Sequence, residues 1–183
     1  MKIRLASELQ IDSIVDGFGI RTVIWTQGCS HNCPGCHNPS THSFKEGFLK
    51  DINELKQELE QLQFQDGVTF SGGDPFFQPK ECAELASFIH GIGMNIWCYT
   101  GFTFEELLES SNKNIKNFLE QIDILVDGKF EISKRNLDLK FRGSSNQRII
   151  DVKESLKQKK VIELFLDEEE NSTFGRKNEY MFI

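Results

Sequence analysis

The chain has 183 residues and a formal net charge of −7, with 38% hydrophobic and 27% charged residues. That length suits one domain and falls short of the about 250 residues that a closed eight-fold (β/α) barrel uses. The acidic balance argues against nucleic acid or an anionic membrane as a partner, and no apolar run approaches the roughly 20 residues of a membrane helix. The opening residues Met1-Lys2-Ile3-Arg4-Leu5 carry no apolar leader pattern, so the expected compartment is the cytoplasm. Residues 20–26 predict a strand running into Gln27-Gly28 and a cysteine-rich loop. Residues 51–63 place Ile52, Leu55, Leu59 and Leu62 at helical spacing, with Asp51 as N-cap and Glu54 three residues on. Residues 68–70 form a short strand entering Ser71-Gly72-Gly73-Asp74-Pro75, and 79–90 a helix with Pro79 near its start and Gly91 just past its end. Strand 94–99, helix 104–119 and strands 122–126, 148–152 and 161–166 complete the pattern.

This alternation predicts an α/β fold with a mostly parallel sheet and ligand sites at the strand C-terminal ends. One domain is expected over residues 1–166, followed by a charged tail, 167–183. The cysteine loop, the Gly-Gly loop, Thr100-Gly101 and Asp127-Gly128-Lys129 each follow a predicted strand, so all four should share one rim.

Three of the five cysteines, Cys29, Cys33 and Cys36, lie within eight residues. Cys33-Pro34-Gly35-Cys36-His37 matches the C-x-x-C-H pattern of c-type haem attachment, but Cys29 is then idle and no export signal accompanies it. A thioredoxin-like redox pair would open a helix, whereas His37-Asn38-Pro39-Ser40 continues as loop. Three cysteines with His31, His37 or His42 could enclose structural zinc, which leaves the glycine loops unexplained. Alternatively, three thiolates bind three irons of a [4Fe-4S] cluster and leave the fourth iron open, where ordinary ferredoxin clusters have four cysteine ligands. Pro34-Gly35 allows the tight turn this last arrangement needs.

The C-x₃-C-x₂-C spacing after the first strand resembles the radical S-adenosylmethionine (SAM) enzymes, and Ser71-Gly72-Gly73-Asp74-Pro75 resembles their Gly-Gly-Glu-Pro loop. Asp16-Gly17-Phe18-Gly19-Ile20-Arg21 is similar to the D-G-P-G-x-R entry of the glycyl-radical-activating enzymes, with Phe18 where proline is usual. Within that group, residues 28–38, 69–75, 97–102, 124–130 and 142–147 most resemble the activators of anaerobic ribonucleoside-triphosphate reductase. His37 departs from the family's aromatic after the third cysteine, and His42 from its tryptophan.

The resemblance implies a partial, laterally open (β/α)6 barrel that carries [4Fe-4S] on Cys29, Cys33 and Cys36. It implies SAM bound by Gly35, Cys36, His37, Gly72, Gly73 and Asp74, with Asp127 and Lys129 as a further Asp-x-Lys contact. The implied reaction is one-electron reduction of the cluster by a donor such as flavodoxin, cleavage of SAM, and abstraction of a glycine Cα hydrogen in the partner reductase. No side chain is needed as acid or base. Activation of another glycyl radical enzyme such as pyruvate formate-lyase is the nearest alternative, and a zinc-stabilised binding module the distant one. Cys82 and Cys98 read as packed small hydrophobes, His31 and His42 as solvated loop residues, and 142–147 as a polar site loop of unassigned role.

Overall fold

The computed structural model describes residues 1–166; the predicted charged tail, 167–183, lies outside the described residues. The strands are β1 (Lys2–Leu5), β2 (Gln10–Ser13), β3 (Arg21–Thr26), β4 (Phe48–Asp51), β5 (Gly67–Gly72), β6 (Asn95–Tyr99), β7 (Ile124–Asp127) and β8 (Arg148–Asp151). The helices are α1 (Ile52–Glu60), α2 (Pro79–Gly91), α3 (Phe104–Glu109), α4 (Lys113–Leu119) and α5 (Val152–Gln158). One mixed sheet runs β4-β1-β3-β5-β6-β7-β8, with β2 paired to β3. Its centre, β3-β5-β6-β7, is parallel, in register from Arg21 against Gly67 to Tyr99 against Val126. β1, β2, β4 and β8 pair antiparallel.

Three expectations are corrected. The parallel run has four strands, not six: β8 returns antiparallel, and residues 161–166 contribute a single bridge, Ile150 to Glu163, instead of a strand. The helix expected over 104–119 is two helices. Ser110 leaves the helical region at φ −56°, ψ 133°, and Asn112 restarts it by accepting the Asn114 N–H. Short polar side chains of this kind compete for backbone groups and break a helix that apolar spacing alone would continue. β1, β2 and β4, four residues each, carry too little pattern to be read from sequence. The N-cap of α1 is as expected, Asp51 accepting from Asn53 N–H at 2.8 Å.

Side chains alternate across a strand, so the central strands present two faces. One holds Ile24, Val68, Phe70, Ile96, Cys98 and Leu125 against Leu55 and Leu59 of α1, Leu85 and Ile89 of α2, and Phe118 of α4. Cys82 and Cys98 are buried in this layer as expected, and burial holds both thiols well above their ordinary range. The other face carries Trp97, Ile124, Val126 and Ile149, covered by Phe18, Tyr99, Phe141, Leu164 and Leu166 from non-helical segments. The main helices therefore pack on one face, unlike a doubly wound sheet, which is covered by helices on both.

Arg21 anchors the edge of that second face. Its buried guanidinium donates to Thr69 Oγ1 (2.6 Å), the Val68 carbonyl (2.7 Å), Asn95 Oδ1 (2.9 Å) and the Phe18 carbonyl (3.0 Å), and it lies over the Trp97 ring. Burial lowers its pKa to about 10. Phe18, where the family has proline, packs edge-on against Trp97 (5.7 Å) and Phe141 (5.0 Å), so aromatic contact holds this loop in place of a ring-fixed backbone.

Candidate metal and cofactor centre

β3 ends at Thr26, and the next residues turn back on themselves to make the cysteine loop. Gly28 N–H donates to the Thr41 carbonyl and Cys29 N–H to the His42 carbonyl, closing the loop at its base. Gln27 reinforces the closure, its side-chain amide donating to the Ser40 and Ser43 carbonyls. Inside the loop, Cys36 N–H donates to the Cys33 carbonyl at 3.1 Å, with Pro34 and Gly35 at the corners and Gly35 at φ +74°. This is the signature of a type II turn, whose third position favours glycine because φ is positive there. Cys29, Cys33 and Cys36 are all free thiols, the first buried and the others half-buried. Burial pushes the Cys29 thiol up to about 11, opposed by the His31 backbone N–H. Asn38 N–H points at Cys36 Sγ, 3.4 Å away. Among the described residues, no three His, Cys, Asp or Glu side chains gather tightly enough to hold one metal ion.

The donor set is chemically apt for iron–sulfur binding. Soft thiolates select such clusters, and N–H groups aimed at cysteine sulfur tune them. His37, exposed, follows the third cysteine, and His42 is half-buried at the loop base.

β5 delivers the Gly-Gly loop directly beside this loop. Gly73 N–H donates to the Thr26 carbonyl (2.7 Å) and Asp74 N–H to the Gly28 carbonyl (3.0 Å). A Cβ on Gly73 would sit 2.4 Å from the Gly28 carbonyl oxygen, and one on Gly72 would sit 2.4 Å from that of Thr26. Here glycine serves to let backbone meet backbone. Asp74 does not face outward. Its carboxylate, 1% exposed, accepts from Phe76 N–H (2.9 Å), the Thr100 hydroxyl (2.9 Å to Oδ2), Gly101 N–H (2.9 Å) and His31 Nε2 (2.8 Å). The expectation that His31 is solvated is thereby overturned, because its ring is buried between Asp74 and Phe102.

The rim continues through the next strand ends. Thr100 N–H donates to the Val126 carbonyl and Gly128 N–H to the Phe102 carbonyl, so all four loops expected on the rim are hydrogen-bonded in series. Asp127 is buried and turned inward, accepting from Phe104 N–H (2.8 Å) and from Arg148 Nε (3.0 Å) and Nη2 (2.5 Å). Lys129 is exposed. The polar loop 142–147 packs against it: the Gln147 side chain donates to the Gly128 carbonyl and accepts from Gly143 and Ser144 N–H, while Asn146 donates to the Lys129 carbonyl. Arg142 Nε and Asn146 Oδ1 are buried there with no hydrogen-bond partner among the described residues.

His31 and Arg148 thus join the site, although no local spacing singles them out; Thr100 stands on the expected rim and Gln147 in the expected polar site loop. Each meets a partner that only the fold supplies.

Comparison with known proteins bears on this arrangement. A family described as a 4Fe-4S single cluster domain matches residues 15–150. An anaerobic ribonucleoside-triphosphate reductase-activating protein from Pasteurella multocida is 36% identical over 145 residues, covering 74% of this chain and 90% of the relative. Proteins of the same name are 33% identical in Enterobacteria phage T4 (74% and 86% covered) and 34% identical in Escherichia coli K12 (73% and 90%). Among solved structures, QueE from Escherichia coli aligns over 56% of this chain and 54% of its own, with a TM-score of 0.45 and 16% identity. The matched residues span the cysteine loop, the Gly-Gly loop and the rim, and the chain belongs to the family of anaerobic ribonucleoside-triphosphate reductase-activating proteins, built on a 4Fe-4S single cluster domain.

Proposed function

We propose that this chain is a radical SAM activating enzyme that installs the glycyl radical of an anaerobic ribonucleoside-triphosphate reductase. Cys29, Cys33 and Cys36 hold a [4Fe-4S] cluster by three irons. When bound, the reduced cluster supplies the electron that cleaves SAM, and the cleaved cofactor takes the glycine Cα hydrogen. The protein's own part is positioning. Gly35, Cys36 and His37 form one wall of the SAM site and Gly72-Gly73 the other. The Gly73 N–H is committed to the Thr26 carbonyl and the Asp74 N–H to the Gly28 carbonyl, so the acceptors this loop offers an amino group are the Gly72 and Gly73 carbonyl oxygens. Lys129 is the exposed member of the Asp-x-Lys pair, while Asp127 and Asp74 act by fixing loops.

In this reading residues 1–166 are one domain, and the sheet is the wall of a partial, laterally open barrel whose helix-free face admits the reductase's glycine loop. Helices on a single face support it. The electron donor is an external one-electron carrier such as flavodoxin, and a reducing cytoplasm is the compartment that free thiols and this chemistry require. No helix is long and apolar enough to cross a membrane among the described residues.

The observation that carries the reading is the three-thiol loop, shaped by the Cys33–Cys36 turn and clamped to the Gly-Gly loop by the hydrogen bond from Asp74 N–H to the Gly28 carbonyl. Anaerobic purification should yield a brown protein with iron and sulfide. With SAM, dithionite and the cognate reductase it should produce a glycyl radical signal. A colourless, zinc-loaded protein even after anaerobic reconstitution overturns the enzyme reading. A loaded cluster with no radical in the reductase overturns the partner.

A further inference from the structure

His31 stands between Cys29 and Cys33, yet its side chain is only 7% exposed and is used entirely inside the rim. Its Nε2 donates to Asp74 Oδ2 at 2.8 Å. The ring meets Phe102 edge-on at 4.6 Å and Phe77 at 5.6 Å, and a Cβ on Gly101 would come within 2.5 Å of it. Asp74 simultaneously holds Phe76, Thr100 and Gly101. One imidazole–carboxylate contact therefore couples the cysteine loop after β3 to the Gly-Gly loop after β5 and to the loop after β6.

We propose that His31 is a positioning residue for SAM: through Asp74 it fixes the separation of the cysteine loop from Gly72-Gly73. A cofactor that must touch both loops at once then meets a preformed cleft and does not have to order one loop against the other. The proposal rests on the SAM reading above. It assigns to His31 a role in SAM affinity, apart from cluster assembly, which the three thiols and their turn provide.

The test uses the full chain, reconstituted anaerobically, with iron and sulfide measured per chain. The reduced cluster's electron paramagnetic resonance signal is then followed as SAM is added. His31→Phe keeps the aromatic packing and removes the hydrogen bond; His31→Gln keeps a side-chain N–H donor. Partners that orient a metal site typically contribute about 10-fold or more. His31→Phe should therefore need about tenfold more SAM at unchanged iron and sulfide content, and His31→Gln should restore most of the affinity. Unchanged SAM affinity in His31→Phe overturns the proposal, as does a loss of affinity that merely tracks lost iron or an equal loss in His31→Gln. If the unsubstituted, fully loaded protein shows no response to SAM, the SAM reading itself fails and this proposal fails with it.

Discussion

At the scale of single residues, two glycines have opposite expectations. Gly73 leaves no room for a methyl group: the obstructing atoms are the Gly28 backbone, which cannot rotate away. Gly73→Ala should destabilise by about 1–3 kcal/mol, as overpacking does, and lower the melting temperature while displacing the cysteine loop. Gly91 ends α2 with nothing within 4 Å of a built Cβ. Gly91→Ala should instead stabilise by about 0.4–1 kcal/mol, because it restricts the unfolded chain without strain in the folded one. Thermal unfolding of both variants checks the pair of signs. A similar contrast separates what sequence makes legible from what it hides. Pro34-Gly35 announces its turn because the conformational demand is local. His31 and Asp74 lie 43 residues apart, and neither spacing nor composition pairs them.

At the scale of elements, β7, β8 and α3 are joined by one charge cluster. Asp127 ends β7 directly opposite Arg148 at the start of β8, and Glu105 in the first turn of α3 completes a bidentate contact with the same guanidinium. Removing the guanidinium leaves Asp127 buried without its cation, which costs about 3–5 kcal/mol when a buried pair is broken. Arg148→Met should therefore strongly lower the midpoint of denaturant unfolding. Hydrogen bonding to Arg148 holds the Glu105 carboxyl below its ordinary value of 4.5. A carboxylate with a depressed folded-state pKa stabilises above its unfolded pKa and loses that contribution as pH falls through the folded one. Its effect is fully present well above 4.5 and declines progressively as pH falls below 4.5 towards the lower folded-state value. Glu105→Gln should flatten the acid side of the stability–pH profile of the cluster-free protein in that window, with little change in slope from pH 6 to 8. The elements themselves were unevenly readable. β6 and β7 are near-continuous apolar runs, as buried parallel strands are, while β3 and β5 show shorter Val23-Ile24-Trp25 and Val68-Thr69-Phe70 centres. β2 is Gln-Ile-Asp-Ser, mostly exposed, and becomes a strand only because β3 offers it an edge. In the 104–119 segment, apolar residues from Phe104 to Leu119 continue a helical face across Ser110-Ser111-Asn112, which masks the break.

At the scale of the molecule, the rim behaves as a chain of hydrogen bonds running from Gly28 through Asp74 and Gly101 to Phe102, Gly128 and Gln147. Anything bound at one end stabilises the folded form of the whole series by mass action. Iron and sulfide loading should consequently slow amide exchange beyond the cysteine loop, at 100–104 and at 128, and chelation should reverse it. Protection confined to residues 28–43 would show that the loops open independently. The sheet's one-sidedness shows in what covers its second face: Phe18 and Phe141 meet Trp97 edge-on where a second helix layer would otherwise lie.

The buried guanidinium of Arg21 gives this face a character the net charge conceals. Among the described residues, no carboxylate lies within ion-pair distance of it; its partners are carbonyls, an amide and a hydroxyl. The molecule as a whole carries −7 and repels anions at a distance, a repulsion that salt screens over about 8–10 Å. The interior cation is shielded from salt by the protein around it, and the carboxylates of Asp16, Asp66 and Asp123 act on it only from beyond contact distance. The hydrogen bonds that hold Arg21 should therefore persist at ionic strengths that erase the surface repulsion.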